Sequence, residues 1–482
     1  MAMATAYKTP GVYIEEIPKF PPSIAPVDTA IPAFIGYTQQ AIGQDGSSLT
    51  LRPKRIESLV EYEQYFGGPQ PETGITVTID QVTVATLGRP VGITATAAVA
   101  EADRSKHILY YAMQLFYANG GKSCYVVSVG PYKATVGDDV KWEELNAGLG
   151  PLAKVDEPTL IVIPEAQAIG PNLGTDFGTL QNNALTQCQE LKDRFVIMDV
   201  HGGLQSLSDP STNLLTAVGS FRTDGPNQYL NYGAAYAPNL ETILDYDYDE
   251  SAVMVTEIVD GTVSPAAALD TLATNQSKER ARAAISALPL KLPPSPAIAG
   301  IYAKVDGDRG VWKAPANVGL NAVVKPTIEY TNTTNDQLNV DPTAGKSVNA
   351  IRPFVGKGTL VWGARTLAGN DNEWRYVSVR RFFIFVEEST KKATEQFTFE
   401  PNDANTWVKV QAMIENFLTT QWRAGALQGI KPEHAFYVAV GLGKTMTPLD
   451  ILEGRMIVEI GMAAVRPAEF IILRFSHKMA ES

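Results

Sequence analysis

Only two of the 482 residues are cysteine, Cys124 and Cys188, and only four are histidine. So few thiols fit folding in a reducing compartment. Each cysteine sits in an apolar, regular stretch and reads as a small core residue. His107, His201, His434 and His477 are scattered without the spacing of metal ligands. Basic residues are in the minority, 40 against 52 acidic, giving a formal charge of −12. That balance argues against a nucleic-acid binder, whose affinity comes largely from Lys and Arg neutralising phosphates, and against adsorption to an anionic membrane. No run of about 18 apolar residues occurs, so no bilayer-spanning helix is expected. Residues 1–10 lack the basic-then-apolar pattern of a secretory leader.

Catalytic signatures are also missing. A phosphate loop needs Gly, four residues, then Gly-Lys-Ser/Thr. Gly443-Lys444-Thr445 supplies the end, but Val438 stands where the first glycine belongs, so a glycine-rich turn is the better reading. Asp245, Asp247 and Asp249 imitate the start of a calcium loop, yet its sixth and twelfth positions hold Glu250 and Thr256 instead of Gly and Glu. There is no Gly-x-Ser-x-Gly elbow. The chain is therefore read as a non-enzyme, with no catalytic residue, no cofactor and no metal assigned.

What is present is an ordinary globular composition, 45% hydrophobic and 19% charged, over a length that holds several cores. The periodicities predict an α/β (α+β) multidomain chain with open mixed sheets flanked by helices. Helical spacing covers 57–66, 104–119, 177–191, 264–288, 374–394 and 405–425. Strand patterns cover 123–129, 159–163, 195–200, 435–440 and 455–464. Residues 74–98 are rich in Val, Ile and Thr with strand alternation, which predicts a small β-rich inserted domain. The prolines at 289, 293, 294 and 296 are expected to end the helix before them.

Both ends are strand-like. Around Val12, Tyr13 and Ile14 the chain is extended by Pro10 and Gly11 and then by a series of prolines. At the other end, 469–477 reads as a strand carrying Phe470, Ile471, Ile472, Leu473 and Phe475. An extended segment presents a row of unpaired N–H and C=O groups, which either hazards aggregation or adds to a neighbour's sheet. Donor strands at both ends link each copy to several others, and such head-to-tail contacts build rings or helical tubes. The plainer alternative is that each end pairs within its own subunit.

Three stretches carry a resemblance: TPGVYIEEI with IPAFIGYT downstream, then DRGVWKAPANVGLNAV at 308–323, then VNAIRPFVGKGTLVWGARTL at 348–367 followed by WRYVSVRR. In that order and spacing the chain resembles the contractile tail sheath proteins of phages and of phage-tail-like injection systems. The motifs hold no nucleophile–base pair. Trp312 and Trp362 are expected to fill core pockets with Leu367, Pro315 to fix a turn, and Arg365 to pair with a carboxylate.

The resemblance implies stacked hexameric rings forming a helical tube around an inner tube, with strand exchange through the arms and contraction driving the tube through a target envelope. It implies as partners other copies of the chain, an inner tube protein, baseplate and terminal cap proteins, and sister sheath proteins, with no nucleic acid and no direct membrane binding. Assembly in the bacterial cytoplasm and release by lysis follow from it. The expected division is an arm at 1–22, an outer domain of 23–70 with 105–355, the insertion at 71–104, an inner domain at 356–468, and a strand arm at 469–482. Arg375, Arg380 and Arg381 are the expected inner-tube contacts. The rivals are a non-contracting tube or shell protein and a surface-binding module built on the insertion.

Overall fold

The computed structural model describes residues 23–84, 89–100, 103–170, 172–201, 214–329 and 332–474. Val12, Tyr13, Ile14 and Phe475 lie outside them. The described chain forms two compact units, residues 26–388 with 464–474 and residues 23–25 with 389–463.

The larger unit is built on a nine-stranded mixed sheet. Its order is Val318–Gly319, Gly358–Val361, Val348–Phe354, Gly233–Ala237, Phe195–Asp199, Leu160–Val162, Pro32–Thr38, Cys124–Pro131 and Lys54–Ile56. From Val348–Phe354 to Cys124–Pro131 the strands run parallel, and the outer ones are antiparallel. A parallel sheet is covered on both faces, so its strands are continuous apolar runs. Ala33, Phe34, Ile35, Leu160, Ile161, Val162, Phe195 and Val196 are accordingly fully buried. Helices Leu109–Ala118, Leu173–Leu191 and Ser295–Arg309 pack on it. Cys124 and Cys188 are buried and unbridged.

Ser295–Arg309 begins inside the proline cluster that was expected only to end a helix. Pro296 occupies its first turn, where a missing N–H costs nothing. Ala297, Ile298, Ala299, Ile301 and Tyr302 are all buried, so no amphipathic stripe announces this helix. The expected 264–288 helix shrinks to Asn275–Ser286, where the Thr274 hydroxyl accepts the Ser277 N–H.

The β-rich stretch recruits a distant partner. Ile75–Val84 pairs antiparallel with Arg89–Val99 and parallel with Met254–Val259. Ile75, Val77 and Ile79 are buried on the face covered by Asn275–Ser286, while Thr76 and Asp80 point outward. Asp260 and Gly261, both at positive φ, make the tight turn after Met254–Val259.

In the smaller unit, helix Ala404–Arg423 starts on Asp403, whose side chain accepts the Thr406 N–H at 3.0 Å. It packs on strand Phe436–Val440, which pairs antiparallel with Val458–Met462. Among the described residues no further strand joins either edge of this pair. No described helix is long and apolar enough to cross a membrane.

Candidate functional site: the sheet crevice, the arginines and the open chain end

In open α/β sheets, ligands settle beyond the carboxyl ends of the strands where the strand order reverses. Here that point is Pro32–Thr38, and the chain's own carboxylates fill it. Buried Glu165 accepts the Tyr37 N–H at 2.8 Å and the Leu109 N–H at 3.3 Å, capping a helix whose N-cap residue, Ile108, supplies no side-chain bond. Burial pushes its carboxyl up to about 8 against the opposing pull of those backbone donors. A Cβ on Gly36 would lie 2.9 Å from Glu165 Oε2 and 3.1 Å from Leu109 Cδ2, so the strand backbone is packed closely against Glu165 at this point. Buried Asp199 likewise accepts the Ser295 N–H at 2.7 Å and the Ser295 hydroxyl at 2.5 Å, and burial raises it to about 7. The helix N-termini that would hold an anion are already capped by these carboxyl groups of the protein itself.

The remaining suspects are turns. Thr445 receives the Gly441 N–H and donates its hydroxyl to the Ile457 carbonyl, so Gly443-Lys444-Thr445 is tied into a loop. Asp249 accepts both the N–H and the hydroxyl of Ser251. His107 accepts the Lys133 N–H and is held neutral, its pKa lowered to about 4 by burial. Among the described residues no three His, Cys, Asp or Glu side chains converge as metal ligands.

Two of the three arginines expected to face a tube, Arg380 and Arg381, point inward. In helix Val377–Thr394, Arg381 is 3% exposed and makes a two-pronged pair with Asp306, at 2.6 and 3.0 Å. The same guanidinium donates to the Thr29 carbonyl at 2.8 Å and lies 4.5 Å from the Tyr302 ring. Arg380, 4% exposed, reaches Glu387 at 2.9 Å and sits over Trp374 and Tyr232. Arg375 is spent on the Gly369 carbonyl and Asn372. Arg380 and Arg381 thus serve the interior of their own subunit and do not form an outward row, whereas Arg375 is half-buried.

The motif residues divide. Trp312 is half-buried, edge-on to Phe382, and Pro315 is buried. Trp362 is 41% exposed and tilted against Phe354 at 4.4 Å, which corrects its placement in the core, whereas Leu367 is fully buried. Arg365 has the carboxylate partner its motif called for. Its Nη2 and Nε reach Glu469 at 2.6 and 3.0 Å, and its Nη1 reaches the Asn339 carbonyl at 3.2 Å. Glu469 also accepts from Asn339 Nδ2 at 2.7 Å and from the Tyr376 hydroxyl at 3.3 Å. Burial works to raise the Glu469 carboxyl, but these hydrogen bonds outweigh it and hold the group below the usual range. No sequence rule pairs residues 104 apart, so this contact was illegible beforehand.

Directly after Glu469 the chain lets go. Phe470, Ile471, Ile472 and Leu473 are 70, 79, 77 and 72% exposed. Residues 469–474 were expected as a strand, but they join no ladder among the described residues. A strand needs a partner, and none is supplied within the described chain.

The family model for the phage tail sheath C-terminal domain matches residues 369–478. The chain is 30% identical to a chain of the sheath complex of PVC, an extracellular contractile injection system, in its contracted state. That match covers 98% of this chain and 99% of that one, with a TM-score of 0.64. The contracted helical sheath of the anti-feeding prophage is 31% identical over 98% and 100% of the two chains, with a TM-score of 0.60. A chain of that prophage's contracted baseplate is 26% identical over 98% of both, with a TM-score of 0.66. No curated protein matches. Two full-length relatives at this identity settle the family: the chain is a member of the contractile sheath proteins.

Proposed function

We propose that this chain polymerises as stacked hexameric rings around an inner tube, and that contraction of the resulting sheath drives the tube through a target envelope. The observation that carries the reading is the run of large apolar side chains at 470–473, exposed and unpaired at the end of the described chain. Monomeric proteins rarely leave such a segment open. The smaller unit offers the matching receptor, a two-stranded sheet to whose edges no further strand is joined among the described residues. A sheet of two strands is marginal alone and gains from a third. Residues 470–475 of one copy add to that sheet in the next, and Val12, Tyr13 and Ile14 serve the opposite end.

Region 356–468 faces the inner tube and 71–104 faces outward. The partners are further copies, the tube protein, baseplate and cap proteins, and sister sheath subunits, with assembly in the bacterial cytoplasm. The work is mechanical rather than enzymatic: energy is held in the lattice, and the filled sheet crevice supports this reading. The test is electron microscopy of the purified chain with and without 470–482. The full chain gives tubes in a long, narrow and a short, wide form. Tubes of one width only, or tubes from the shortened chain, refute the reading.

A further inference from the structure

The contact between Arg365 and Glu469 sits where the held chain becomes the unheld chain, and the change takes one residue. Arg365 is 4% exposed, and its guanidinium grips Glu469 through two nitrogens. Its own backbone is fixed on both sides by Asn349, whose side chain accepts the Arg365 N–H and donates to the Arg365 carbonyl, both at 2.8 Å. Asn349 lies in Val348–Phe354, an interior strand of the nine-stranded sheet. Glu469 is thereby tied through Arg365 to an interior strand of the larger unit's sheet. The contact before it, Arg466 Nη1 on the Asn372 carbonyl, is exposed and single.

We propose that Arg365 and Glu469 form the anchor of the C-terminal arm, fixing where and in which direction the donor strand leaves the body and so the register in which it meets a neighbouring copy. The inference rests on the strand-exchange reading above. Arg365 is a positioning residue: it acts on the neighbour only through the segment that follows Glu469. Register matters because a slip of one residue turns every side chain of a strand to the other face. A longer free tail also lowers the effective concentration of the donor strand at its receptor. The two-pronged guanidinium–carboxylate geometry, which Lys cannot reproduce, suits a contact that must fix direction as well as position.

The experiment compares the full chain with Glu469→Gln, Arg365→Lys and a control ending at Glu469. It measures the protein concentration at which tubes appear, the uniformity of their diameter, and the thermal midpoint of the unassembled subunit. The expected result for both substitutions is a midpoint several degrees below the parent, because Arg365 is buried, together with at least a tenfold higher concentration for tubes and mixed diameters. Glu469→Asp, which keeps the charge, restores most of the yield. Uniform tubes at the parent's concentration from Glu469→Gln and Arg365→Lys overturn the anchor, while loss of tubes in the control keeps the strand reading intact. Midpoint and yield falling together, with diameters unchanged, make the pair an ordinary fold contact and also overturn the anchor. Tubes from the control overturn the strand reading itself.

Discussion

Replacing Arg381 with methionine isolates one charge in the interior. The side chains of Arg381 and Asp306 are only 3% and 6% exposed, so neither can rely on water. With the guanidinium gone, the Asp306 carboxylate keeps the Thr29 hydroxyl, at 2.6 Å, and the Thr29 carbonyl is left with the Thr159 hydroxyl, at 2.9 Å, as its donor. Removing one partner of a buried pair costs about 3–5 kcal/mol. At about 2 °C per kcal/mol for a unit of this size, the thermal midpoint falls by roughly 6–10 °C. The double variant Arg381→Met with Asp306→Leu removes both charges, and apolar replacement of a whole buried pair is often neutral. It therefore recovers most of the loss. Chemical denaturation of the parent, both single variants and the double variant completes the cycle. A single variant costing under about 1 kcal/mol, or a double variant no better than the worse single, refutes the reasoning. A charge reversal at Arg380 or Arg381 would for the same reason disturb the fold, so lost assembly in such a variant is no evidence of a tube contact.

Alkaline pH weakens the larger unit. Asp199 and Glu165 are raised to about 7 and about 8 from ordinary values of 3.8 and 4.5, so between those limits the folded chain holds protons that the unfolded chain has released. Their contribution is complete below about pH 4 and is lost as pH rises through 7 and 8, at up to about 1.4 kcal/mol per pH unit for each group. Denaturant midpoints measured from pH 5 to 9 decline, and Asp199→Asn flattens the slope; a midpoint rising over that range contradicts the assignment. The two motif residues separate by burial. Leu367→Ala costs about 2–5 kcal/mol, whereas Trp362→Ala costs about 1 kcal/mol, the scale of its aromatic contact; equal costs in denaturation refute the placement of Trp362 at the surface.

The central parallel strands were legible because their apolar runs encode two covered faces, and the Ala404–Arg423 helix because its buried residues recur at helical spacing. Ser295–Arg309 was hidden by the opposite circumstance, a helix buried nearly all round that begins on prolines. Arg380 and Arg381 looked like a charged surface because charge is normally solvated, and only the fold brings Asp306, 75 residues away, within reach of Arg381. Trp362 looked like core because it is large and apolar, yet it directly follows the strand Gly358–Val361 and is 41% exposed.

The sequence by itself determined the local matters: apolar periodicity, the sparse thiols, the negative charge, and an apolar segment near the C-terminus. Local preference depends on neighbours a few residues away, and those are written in order. Only the tertiary structure decided that Met254–Val259 completes the outlying sheet, that Glu165 and Asp199 fill the crevice, and that Arg365 closes on Glu469. Each of these joins residues far apart in the chain, and what joins them is the need to give a buried charge or an open strand edge a partner, which the fold as a whole must satisfy.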